Sequence, residues 1–339
     1  MNRLIHAIPY SVLDLATVAQ GHVPSDAFRN SLNMARSAER LGYTRYWFAE
    51  HHNMPGVASS ATAILIGHIA GGTSTIRVGS GGIMLPNHSP LIVAEQFGTL
   101  ASLYPGRIDL GLGRAPGTDQ LTARAIRGRN FDAEHNFVAD IEMLQTLFSA
   151  ANSSSKVRAI PGEGLDIPIW ILGSSTDSAI VAATLGLPYA FASHFAPAQF
   201  LSALRIYRER FVPSATLKKP YVLACVNVVA ADTDKEAQYL FSSALQLFKG
   251  IITGKREQLQ PPVKDIDEIW SPELNTAVQQ MLTYSFVGSS NRLTSQIKAF
   301  IALTDIDEIM VTSHIYDHDL KVNSYRIFSE VMNGVIVNT

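Results

Sequence analysis

The feature that most constrains this chain is a repeated hand-over from β-rich apolar sequence to polar or glycine chemistry. RYWFAEHHN (45–53), TIRVGSGGIMLPNHSP (75–90) and YPGRIDLGLGRAPG (104–117) each make it. Strands separated by helix-length segments, with their unusual residues just past the carboxyl end, describe a parallel βα barrel whose site lies on that rim. Candidate strands at 4–10, 44–49, 76–82, 107–112, 168–173, 188–193, 221–230 and 307–312 make eight, so the expected fold is an α/β TIM (βα)8 barrel with insertions. Between them, Phe28, Leu32, Ala35, Ala38 and Leu41 recur at helical spacing and stop at Gly42. The pattern returns in 89–103, 133–150, 175–185, 197–211 and 319–334.

A chain of 339 residues, 47% hydrophobic and 17% charged, can bury such a barrel as one domain over 1–339. Two regions break the rhythm: 113–132, rich in Gly, Arg and Asp, and 245–285, which contains TGKREQLQPPVKD and reads as an insertion or lid. With 27 basic against 29 acidic residues and only the short RAIRGR run, nothing marks a nucleic-acid partner. The single cysteine, Cys225, sits in VLACVNVVAA as a buried strand residue and suits a reducing cytoplasm. His6, Pro9 and Asp14 interrupt the first apolar run, which therefore reads as a strand rather than a signal peptide. No apolar stretch approaches the ~18 residues that would suggest a membrane span.

Successive residues on a strand face opposite ways, so at most one of His51 and His52 in the EHH triplet aims into the site. Metal ligation is not expected, because no second ligand set stands at helical spacing nearby. A neutral imidazole there can instead exchange a proton near neutral pH. GSGG (79–82) removes side chains between the backbone and whatever occupies the barrel mouth. GLGRAPG (111–117) is not a dinucleotide fingerprint, since its third glycine comes one place late and Pro116 interrupts the helix that should follow. Arg114 at that strand end is a bidentate partner for a phosphate or carboxylate, or a member of a structural ion pair. Ser174, Ser175 and Ser178 begin the next helix, where they serve as N-caps or, together with Arg114, as an anion seat. His194, in ASHF at the end of the sixth strand, is placed for substrate contact.

AEHHN, IRVGSGGIMLPNHSPLIVAEQ, YPGRIDLGLGRAPG and LGSS, followed by ASHF and DEIMV, occur in an order that resembles the bacterial luciferase-like flavin-dependent monooxygenases, in particular their single-chain members. The resemblance covers nearly the whole chain. It implies a barrel enzyme that takes reduced FMN from a separate flavin reductase, reacts it with O2 through a flavin hydroperoxide, and oxygenates a small organic substrate such as an aldehyde. It further implies that His51 is the acid/base; were His51 structural, His52 or His194 would be the next catalytic candidate. Gly81 and Gly82 would be joined by a cis peptide against the isoalloxazine ring. Arg114, Ser174, Ser175 and Ser178 would hold the phosphate, with a second arginine among Arg124, Arg127 and Arg129, and the protein would be a homodimer. Gly113 stands where light-emitting members carry a reactive cysteine, and Ser174 where they carry an acid, which argues against light emission. Hydride transfer with a deazaflavin on the same fold, and flavin binding without turnover, are the alternatives.

Overall fold

The computed structural model describes residues 8–132, 135–266 and 270–334. In chain order the elements are β1 (Tyr10–Asp14), α1 (Pro24–Arg40), β2 (Arg45–Phe48), α2 (Thr62–Gly72), β3 (Arg77–Ser80), β4 (Ile83–Met84), α3 (Pro90–Leu103), β5 (Ile108–Gly113), α4 (Gln120–Arg127) and α5 (Phe137–Phe148). The second half continues with β6 (Ile169–Gly173), α6 (Thr176–Leu185), β7 (Tyr189–Phe191), α7 (Phe200–Arg210), β8 (Val222–Ala230), α8 (Asp234–Thr253), α9 (Pro272–Met281), β9 (Ser285–Gly288), α10 (Ser290–Thr304), β10 (Glu308–Thr312) and α11 (His318–Met332).

Eight of these strands close a parallel barrel in the order β1, β2, β3, β5, β6, β7, β8 and β10, with β10 pairing back onto β1. β4 continues the line of β3 after a jog and pairs with the end of β5. β9 pairs with Asn227–Ala230 of β8 beyond the point where β10 lets go at Asn227.

The first strand departs from the expected 4–10, of which residues 4–7 lie outside the described residues. Pro9 offers only a carbonyl, which accepts from Ile309 N, and the ladder starts at Tyr10. Asp14, read above as an interruption, is the last residue of β1. It is buried because Ser31 Oγ and Tyr46 OH each donate to its Oδ2 at 2.5 Å and Ala16 N donates to Oδ1 at 3.0 Å. The irregular 113–132 region contains α4, capped by the Asp119 side chain. The 245–285 segment begins as the last turns of α8 and ends in α9 and β9, with Leu245, Phe248, Leu259, Val278 and Leu282 buried.

The amino-terminal end of the barrel is plugged by charge. Arg45 stacks between Trp47 and Trp170, its guanidinium carbon 5.6 and 4.7 Å from their ring centroids. It donates to Glu308 Oε1 at 2.7 Å and Asp109 Oδ2 at 2.8 Å, while Arg77 takes the other Asp109 oxygen. Charges this buried are tolerated only because every one is paired. With that end filled by paired charge, the barrel is open to a ligand at its carboxyl rim.

Candidate active site

A cavity of about 400 Å³ opens at the carboxyl rim. Its wall is mostly apolar, including Leu13, Met84, Leu172 and Phe248, and its polar groups are few. Such a wall with sparse, placed polar groups is the usual character of a small-molecule site.

Glu50 organises the β2 side of the rim. It is fully buried and accepts from Met84 N at 3.0 Å, His52 Nε2 at 2.9 Å and His88 Nε2 at 2.9 Å. Burial alone would raise its pKa, but the bonds from the two histidines, the charge of His88 and the Met84 amide outweigh that and hold the carboxyl at about 2. The loops after β2 and β4 are thereby tied together. His52 is thus spent on Glu50 and does not reach the cavity, as strand alternation requires once His51 faces in.

His51 lines the cavity, and its Nδ1 lies 3.2 Å from Gly117 O. A carbonyl can only accept, so Nδ1 carries the proton and Nε2 keeps its lone pair. Burial lowers the His51 pKa despite that bond, and nearby Arg256 adds to the effect, so the ring is neutral at pH 7. Gly117 has φ +65°, and a Cβ there would lie 2.8 Å from Glu50 O, so the turn that receives His51 depends on glycine.

The Gly81–Gly82 peptide is cis. Side chains at these glycines would collide with neighbouring protein atoms. A Cβ on Gly79 would lie 2.5 Å from Asp109 O, one on Gly81 2.7 Å from Leu13 Cδ1, and one on Gly82 2.7 Å from Gly111 O. Gly111 itself passes so close to Ser80 that its Cβ would be 2.1 Å from the Ser80 carbonyl. Gly81 alone of the 79–82 stretch's glycines also lines the cavity.

Arg114, Ser174, Ser175 and Ser178 meet on the rim at the ends of the adjacent strands β5 and β6. Arg114 is half out in solvent and touches Asp177 Oδ2 at 3.3 Å, a weak contact that an incoming anion could replace. Ser175 is the N-cap of α6 but makes no side-chain cap bond, so its hydroxyl is uncommitted. Ser178 differs, because its hydroxyl donates to Ser175 O at 2.7 Å and lies 2.9 Å from Tyr189 OH. It braces the turn, and Gly173 leaves room for it, since a Cβ there would lie 1.9 Å from Ser178 Oγ. The arginines expected to include a second phosphate ligand are not on the cavity wall. Arg124 stacks on Phe131 at 4.8 Å, Arg127 donates to Asn87 Oδ1 at 3.2 Å, and Arg129 lies in the turn after α4.

One polar cavity residue, His314, went unread, and another, Arg256, belongs to the segment expected to act as a lid. His314 lies two residues past β10, on the same rim as the motifs that were read, and only the plainness of TSHIYD hid it. Arg256 comes from the long segment after α8, which is held over the mouth where Gln20 N donates to Leu259 O and Leu259 N to Val18 O. His194 also lines the cavity. Among the described residues no group of three or more His, Cys, Asp or Glu side chains could hold a metal ion, and no helix is long and apolar enough to cross a membrane.

This architecture has known counterparts. The family model described as luciferase-like monooxygenase matches residues 8–303. The chain is similar to a luciferase-like monooxygenase of Escherichia coli (strain K12), 50% identical over 329 residues that cover 97% of this chain and 98% of that protein. It is also similar to the N-acetyl-S-alkylcysteine monooxygenase of Bacillus subtilis (strain 168), 30% identical over 342 residues, with 96% and 98% of the two chains covered. Among solved structures, apo-MsnO8 superposes with a TM-score of 0.85 at 34% identity, covering 97% of this chain and 98% of that one.

Proposed function

The chain belongs to the luciferase-like monooxygenase family, and from that premise we propose that it is an FMN-dependent enzyme that inserts one atom of O2 into a small, largely apolar organic molecule. The observation that carries this reading is the division of the barrel mouth. Arg114 and the serines Ser174, Ser175 and Ser178 stand together at the ends of β5 and β6, and an apolar cavity with a neutral His51 opens beside them.

The residues fit the cofactor. Arg114, the free hydroxyls of Ser174 and Ser175 and the α6 N-terminus would hold the phosphate, because exposed helix N–H groups and a guanidinium both favour an anion. Gly81, on the cavity wall, would lie against the flat ring system. When bound, reduced FMN, delivered by a separate reductase, supplies the two electrons that let one oxygen atom enter the substrate while the other leaves as water.

His51 then holds and moves a proton. Its Nδ1–H is fixed on Gly117, so the lone pair on Nε2 accepts a proton from the reacting groups and returns it within the cycle. The apolar wall, closed over by Leu247, Phe248 and Ile251 of α8, keeps bulk water from the reacting centre. The thioether-bearing substrate class named for the Bacillus subtilis relative supports a small organic acceptor rather than a polymer.

Anaerobic titration with reduced FMN and with a reduced 5-deazaflavin tests the reading, followed by measurement of label from 18O2 in the product of a substrate panel. Tighter binding of FMN and labelled product are expected. Preference for the deazaflavin, or product without label, would replace oxygenation by hydride transfer.

A further inference from the structure

Two imidazoles on the cavity wall have no part in the proton chemistry above. His314 follows β10 and is 4% exposed, and His194 follows β7 and is half-buried. The Nδ1 atom of each is sealed from solvent without a hydrogen-bond partner among the described residues. The nitrogen that remains open to the cavity is Nε2. Both rings are neutral. Burial holds each at about 3, helped at His194 by the neighbouring His314 and His51, and at His314 by Lys321 against the opposing charge of Asp14.

A neutral imidazole has one N–H and one lone pair to distribute. A sealed lone pair is tolerated more readily than a sealed N–H. The proton of each ring therefore belongs on Nε2, where it points into the cavity. The neighbours offer it nothing: the Phe248 ring stands edge-on to His314 at 6.1 Å and the Phe195 ring edge-on to His194 at 4.9 Å. Among the described residues neither N–H donates to a protein acceptor, so both are open to a ligand. A neutral acceptor beside these two buried rings avoids the desolvation that an anion would suffer there.

We propose that His194 and His314 form a two-donor subsite that takes an uncharged oxygen acceptor carried on an apolar body. Calling that molecule the substrate rests on the monooxygenase reading, but the subsite can be tested without cofactor. Cofactor-free protein labelled with 15N-histidine would be titrated with acetophenone, with its alkene isostere α-methylstyrene, and with benzoate. Both rings should show protonated Nε2 and bare Nδ1, and acetophenone should shift both Nε2 resonances while α-methylstyrene shifts neither. Acetophenone should bind about tenfold more tightly than either other probe, the worth of a satisfied buried donor.

His314→Phe should bring acetophenone down to the level of α-methylstyrene while α-methylstyrene binding holds within about twofold. His314→Asn, which keeps an N–H donor, should retain the preference. A proton on Nδ1, equal binding of the three probes, preference for benzoate, or loss of the preference in His314→Asn would each overturn the subsite. Failure of FMN to bind would sink the monooxygenase reading and leave this measurement standing.

Discussion

His51 and Gly117 are joined by a 3.2 Å hydrogen bond that runs from the imidazole to a backbone carbonyl on the neighbouring rim loop. That bond fixes which nitrogen holds the proton and leaves the other with its lone pair, which a proton-transfer role would need. His51→Ala is expected to leave folding and FMN affinity intact while turnover falls by roughly 100-fold or more. His51→Gln cannot replace the lone pair and should fall as far. Turnover within about threefold of wild type at saturating FMN would assign His51 to the scaffold.

The proposed anion seat separates serines that look alike in sequence. Arg114→Ala should weaken reduced FMN by roughly ten- to a hundredfold, as for a lost charge-assisted contact, and riboflavin far less. Ser175→Ala should weaken FMN alone, because its hydroxyl is free. Ser178→Ala should lower the melting temperature and spare affinity, because its hydroxyl is bonded to Ser175 O and Tyr189. Equal losses for FMN and riboflavin in Arg114→Ala would remove the phosphate assignment.

Much of the barrel was legible because its strands carry their chemistry at a constant place. β2, β3, β5 and β6 each end within a residue or two of the expected position, and His51, Gly81, Arg114 and the serines stand just beyond them. What the sequence hid depends on contacts between distant segments. Nothing local distinguishes Ser178 from Ser175, since the difference is made by Tyr189 on the next strand. The lid expected around Arg256 gave no sign of its anchor, the pairing of Leu259 with Val18 and Gln20 some 240 residues earlier in the chain. The glycines of GSGG read as room for a ligand, yet most of that room is filled by neighbouring backbone.

The buried histidines make stability depend on pH. An unfolded histidine titrates near ~6.5, whereas His194 and His314 are held at about 3 in the folded protein. Below pH ~6.5 the unfolded chain therefore takes up protons that the folded chain refuses. Stability falls as pH drops through that window, by up to ~1.4 kcal/mol per pH unit for each ring. Urea unfolding between pH 7 and pH 5 should show this slope, and His314→Phe should flatten it by about one ring's share. Parallel pH profiles for the two proteins would refute the neutral, buried state of His314.

The segment after α8 is anchored at one end and loose at the other. Leu259 is buried and pairs with Val18 and Gln20, and Gln246 Nε2 donates to Pro261 O at 2.9 Å. Residues 254–257, by contrast, are exposed, although Arg256 and Glu257 reach the cavity wall. A stretch with few buried contacts opens at low cost, and a ligand that touches it raises that cost. Trypsin is expected to cut first after Lys255 or Arg256, and bound FMN should slow the cut, because closing the mouth over a ligand removes those residues from the protease. Gly56 offers a second handle, since a Cβ there would lie 2.5 Å from Glu257 O and push the segment outward. Gly56→Ala should therefore speed cleavage in both states and reduce the protection by FMN. Mass-spectrometric mapping of the first fragment decides the matter: a first cut elsewhere, or equal rates with and without FMN, would make this segment scaffold rather than a lid.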